Sequence, residues 1–80
     1  MNRNILLRHL EQAEAHVAQG VRHIERQRQI VADLERGGHD AERAREALKL
    51  FEDMQALHVA NRDRLVGALR EEPAPAERRG

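Results

Sequence analysis

Histidine is the side chain through which this 80-residue chain could bind or transfer anything, and it occurs five times, as His9, His16, His23, His39 and His58. The first three fall seven residues apart, because Arg8-His9-Leu10 recurs as Ala15-His16-Val17 and again as Arg22-His23-Ile24. Seven residues of helix span about 10.5 Å along the axis, too far for two of these rings to share one metal ion. A ligand pair on a single helix needs a spacing of four, which none of them has. Folded back on itself, the chain could instead bring His16 against His58, with His23 one or two turns away, so His16, His23 and His58 are the candidate metal ligands. The Glu-x-x-His signature of di-iron bundles is absent, since Leu6, Ala13, Gly20, Arg36 and Gln55 stand three residues before the histidines. Rim histidines half-packed against leucines outweigh a metal centre on this pattern, and no resident cofactor is expected.

His16 followed four residues later by Gly20 resembles, over five residues, the histidine phosphotransfer domains, in which a helical histidine is followed by Lys-Gly. Gln19 stands where that family has lysine, which removes the positive partner of a phosphoryl group. A glycine admitting His58 or a close helix crossing is the simpler account of Gly20. Cysteine, serine, threonine and tyrosine are all missing, so the common nucleophiles, disulfides and hydroxyl phosphorylation are excluded and no enzyme is expected. The 14 Lys+Arg balance 14 Asp+Glu, and a formal charge of zero favours neither nucleic acid nor an anionic membrane. Arg22, Arg26, Arg28, Arg36, Arg43 and Arg45 do gather toward one end, but pairings such as Arg22/Glu25, Asp33/Arg36 and Glu42/Arg45 make them a self-paired, solvated face. A small RNA-binding hairpin is the alternative that this cluster leaves open.

These side chains must be positioned by helices. Ala, Glu, Lys, Leu and Arg make up 45 of the 80 residues, the composition of long helices or coiled coils. From Leu6 to Leu34 one series steps strictly by four and three: Leu6, Leu10, Ala13, Val17, Gly20, Ile24, Gln27, Val31, Leu34. That is the seam of a helix over about 3–36. Gly37-Gly38 then supplies a left-handed end, and Asp40 can cap a second helix over about 41–71, leaving 37–40 as the loop. The second seam reads Ala44, Ala47, Phe51, Met54, His58, Asn61, Leu65, Ala68. Pro73 ends the pattern, so residues 1–72 form the hairpin and 73–80 a disordered tail of Pro, Ala and charge.

So short a loop makes the helices antiparallel, and the fold class is all-α: a long, coiled-coil-like helical hairpin. Counted outward from the loop, Gly20 pairs with His58 and Ile24 with Met54. Apolar residues spill past both edges of that seam, with Ile30, Leu50 and Leu57 on one flank and Leu7, Val21, Leu48 and Leu69 on the other. Two helices cannot cover so broad a stripe, whereas two hairpins packed as a four-helix bundle can. We therefore expect a homodimer with those seven residues at its interface, or a partner helix in the open groove. The N-terminal apolar run, Ile5-Leu6-Leu7, is far too short for a signal peptide or a membrane span, which points to a cytoplasmic protein.

The segments Arg22-His23-Ile24-Glu25-Arg26-Gln27-Arg28, Leu34-Glu35-Arg36-Gly37-Gly38-His39-Asp40, Ala44 to Leu50, Phe51-Glu52 and Leu57-His58-Val59-Ala60-Asn61-Arg62-Asp63-Arg64-Leu65 carry a resemblance. In these the chain resembles a group of small uncharacterised bacterial helical-hairpin proteins. The resemblance implies a stand-alone hairpin and, as the group has no assigned function, no functional residue. The functional expectation is a non-enzymatic interaction or structural module, with a histidine-based metal or phosphotransfer bundle as the alternative from a different class.

Overall fold

The computed structural model describes residues 2–71, which form two helices packed against each other as a hairpin: α1, Arg3–Arg36, and α2, Glu42–Glu71. There is no strand among the described residues, and the tail expected over 73–80 lies outside them. Long uninterrupted helices follow from the sequence, since neither segment contains proline and β-branched residues are scattered rather than clustered. The start of α1 is fixed by Asn2, whose side chain accepts the Asn4 amide at 2.7 Å while its carbonyl accepts the Leu6 amide at 3.0 Å. That cap has the asparagine-before-helix pattern but lacks a Glu or Gln three residues on to complete a capping box, so its sequence signal is weak.

α1 ends in a Schellman arrangement. The His39 amide bonds the Leu34 carbonyl at 2.9 Å and the Gly38 amide bonds the Glu35 carbonyl at 3.1 Å. Only Gly38 is left-handed, with φ at 72°; Gly37 keeps a right-handed backbone at φ −81°, so one glycine rather than two makes the reversal. Asp40 Oδ1 then accepts the Glu42 amide at 2.9 Å and opens α2, with Glu42 in the first turn where the helix dipole favours a carboxylate.

Every member of the predicted α1 seam is buried or half-buried, from Leu6 through Leu34. On α2 the covered stripe is wider and turned. Ala44, Leu48, Phe51, Gln55, His58, Arg62, Leu65 and Leu69, again stepping by four and three, are all buried in part. Met54 lies outside that series at 47% exposure. Gln55 replaces it, three residues along α2 from the expected meeting of Gly20 and His58. The cause is Gly20 itself: a Cβ built there would overlap the Gln55 carboxamide, so the space left by the missing side chain is filled by glutamine. Gln55 Nε2 donates to the Val17 carbonyl at 2.8 Å, and reciprocally Gln27 Nε2 of α1 donates to the Ala44 carbonyl of α2 at 3.0 Å. Each bond is worth about 1 kcal/mol net, and together they fix the helices lengthwise, which apolar contact alone does poorly.

The core is thin. Leu6, Ala13, Val31 and Ala41 are the buried apolar residues, and no large side chain is fully enclosed. By contrast Ile5, Leu7, Val21, Ile30, Leu50, Met54 and Leu57 are all exposed. More large apolar side chains therefore face outward than are buried, the reverse of what one self-sufficient domain presents.

Candidate functional site

The two flanks of the hairpin differ in kind. One is closed by ion pairs between the helices: Arg45 to Glu35 at 2.7 Å and Arg28 to Glu52 at 3.4 Å. All four side chains are largely exposed, so these pairs contribute at most about 1 kcal/mol each. Along the other flank run the histidines. The His16 and His58 rings lie 5.3 Å apart, centroid to centroid, with their planes tilted by 45°, and the His23 ring lies 6.0 Å from that of Phe51. Between these pairs opens a pocket of about 320 Å³ bordered by Gln19, Gly20, Met54 and Gln55. A second hollow, of about 400 Å³, continues toward His9 past Ala13, Asn61 and Arg64.

Folding thus joins His16 to His58, as the sequence spacing allowed, and leaves His23 to pack on Phe51. His39 is exposed in the loop, with its ring against Gly37, and Asp40 beside it is engaged in the α2 cap. No group of three or more metal-ligating side chains is assembled among the described residues. The clearance that a phosphoryl group on His16 would need beside Gly20 is taken by Gln55. Gln55 Oε1 is buried without a hydrogen-bond partner among the described residues. It faces the Cα hydrogen that only glycine presents there, a weak C–H···O contact in place of a full bond.

Between about the levels of Ile5 and Ile30 the rows that make up this flank carry little charge. On α1 they are Ile5, Gln12, Gln19 and Arg26, and beside them His9, His16, His23 and Ile30. On α2 they are Ala47, Met54, Asn61 and Ala68, with Leu50, Leu57 and Arg64. Two of these fifteen residues bear a formal charge, in a chain where 35% do, and the same rows become charged at the two ends of the hairpin with Asp33, Arg43 and Glu71. Five of the seven exposed large apolar side chains lie here; Leu7 and Val21 are on the ion-paired flank. Of the predicted interface, Leu7, Val21, Ile30, Leu50 and Leu57 are open to solvent, whereas Leu48 and Leu69 are half-covered within the hairpin. Met54 and Ile5 join the exposed set; the sequence places Met54 in the seam and Ile5 in the short N-terminal apolar run.

The arginines gathered near the loop are partly committed: Arg28 to Glu52, Arg45 to Glu35, and Arg36 to Asp33. Lys49 is held above its ordinary pKa of 10.5, first by its hydrogen bond to Asp53 and then by that carboxylate's charge. Since the folded pKa is raised, the lysine's contribution is present at neutral pH and is lost as pH climbs through that raised value, outside the neutral range.

No helix among the described residues is long and apolar enough to cross a membrane. No protein-family model matches the chain, and no curated protein or solved structure matches it. What the molecule does must be argued from the histidine flank.

Proposed function

We propose that the chain is a non-enzymatic interaction module whose histidine flank pairs with a second copy, giving a four-helix bundle. One observation carries this: the middle of the flank, between its charged ends, combines most of the exposed large apolar side chains with two formal charges in fifteen residues. Depletion of charge with retention of Met, aromatic and aliphatic side chains is the composition of an interface centre, not of a solvated helix face. Its size is right as well. From Ile5 to Ile30 the flank is about 37 Å long, and two helices side by side make it about 18 Å wide, so pairing would bury on the order of 1,300 Å² in total, within the range of stable complexes. A second copy is the occupant that needs no further chemistry, because a two-fold axis sets the same uncharged rows against each other.

Sedimentation equilibrium over a hundredfold range of concentration tests this. The unmodified chain is expected to be a dimer. Leu57→Glu, at a side chain 71% exposed in the hairpin, leaves each hairpin folded but places a carboxylate in the apolar contact and should weaken association by about a hundredfold. Val21→Glu, on the ion-paired flank, should change it by less than about threefold. A chain that stays monomeric throughout overturns the self-association and leaves the flank as a groove for a helix from another protein.

A further inference from the structure

We infer that His16 and His58 are half of a zinc site that a second copy of the chain completes. Two imidazoles bound to one tetrahedral Zn²⁺ through bonds of about 2.0 Å have ring centroids about 3.2 Å from the metal and therefore about 5.2 Å from each other. The observed separation of 5.3 Å, which lies in the ordinary range for packed rings, also matches that required for one ion to bridge the pair. One hairpin supplies only these two ligands at this point, since His9 and His23 are each a heptad from His16, about 10.5 Å along the helix. The remaining two must come from elsewhere.

The position of the pair along the molecule says where. α1 runs from Arg3 to Arg36 and α2 from Glu42 to Glu71, so the hairpin's middle falls close to Gly20 and Leu57. His58 lies about 2 Å and His16 about 5 Å from that level at 1.5 Å per residue. If two fully overlapping hairpins pack with their loops at opposite ends, the two-fold axis crosses at mid-length, and only residues at that level meet their own counterparts. With loops at the same end the axis runs along the bundle, and every level meets its counterpart. With loops at opposite ends His16 and its counterpart stay about 10 Å apart along the bundle, too far for one ion, so the site requires the loops together; there the His16–His58 pairs of the two copies meet, and four neutral imidazoles make a closed tetrahedral set for Zn²⁺, a metal that imidazole suits. Zinc binding would thus select the arrangement with both loops at one end.

This inference rests on the pairing proposed above, and the experiment separates the two. Zn²⁺ is titrated at pH 7.5 against a chromophoric chelator with the unmodified chain and with His16→Gln, His58→Gln and His23→Gln, while sedimentation equilibrium is run with EDTA and with Zn²⁺. Expected is saturation at one Zn²⁺ per two chains, weakened at least a hundredfold in His16→Gln and in His58→Gln and unchanged in His23→Gln, with circular dichroism showing all three variants helical. Absence of saturable binding, one ion per chain, or equal loss in His23→Gln overturns the site. A dimer in EDTA that takes up no zinc defeats the site and leaves the pairing intact. A monomer in EDTA that dimerises with zinc supports the site and overturns metal-independent pairing; a monomer in both defeats both.

Discussion

Gly20 and Gln55 behave as one unit. Glycine inside a 34-residue helix is about 1 kcal/mol less favourable than alanine, and the sequence alone offered no compensation for it beyond an expected neighbour, His58. In the structure the compensation is the Gln55 side chain, which occupies the missing Cβ position and donates to the Val17 carbonyl. Gly20→Ala by itself must displace the carboxamide and lose that bond, so the gain in helix propensity is offset and the net change should fall within about 1 kcal/mol of zero. In a Gln55→Ala background nothing has to move, and the same substitution should stabilise by about 1 kcal/mol. Urea unfolding of the four proteins of this cycle gives the coupling directly. Strict additivity would mean that the glycine and the glutamine are independent and that the close approach has another cause.

At the level of the elements, the ends of the helices depend on backbone geometry more than on packing. Gly38 at φ 72° is the one left-handed residue of the described chain, so Gly38→Ala should destabilise by about 1–2 kcal/mol. Gly37→Ala, in a right-handed backbone, asks only that the exposed His39 ring swing aside, and should cost less than about 0.5 kcal/mol. Equal losses in the two variants, measured by urea unfolding, would contradict this assignment of the turn. The sequence pointed to both glycines alike because type and position do not report φ. For the same reason α1 was legible almost residue by residue, since its bulky row at Leu10, Val17, Ile24 and Val31 admits one inward direction. α2 was less so. Its apolar residues surround much of the helix, and which of Met54 and Gln55 turns inward was decided by a hole in the facing helix and a carbonyl to bond. The meeting of His16 with His58 survived that change because ring contacts at the edge of the seam tolerate a shift that the narrow gap over Gly20 does not.

For the whole molecule, charge tests what would hold two hairpins together in the proposed pairing. The chain is formally neutral, its cross-helix ion pairs are on the flank away from the histidines, and the two charged residues in the middle of the proposed contact rows, Arg26 and Arg64, have the same sign, with Asp33, Arg43 and Glu71 only at the rows' ends. The proposed pairing would therefore gain little at its centre from attraction between opposite charges and would be driven by burial of Ile5, Ile30, Leu50, Met54 and Leu57. Raising salt shortens the screening length from about 14 Å at 0.05 M to about 3 Å at 1 M, which weakens the mutual repulsion of the arginines and leaves apolar burial in place. The dimer dissociation constant, measured by sedimentation in EDTA, should accordingly stay constant or fall across that range. Association through ion pairs would instead weaken steeply, as would retention of RNA on the Arg22 and Arg26 surface, because each phosphate contact releases condensed counterions. A tenfold or greater loss of affinity at 1 M salt would sink the apolar interface and turn attention to the arginine-rich end of the hairpin.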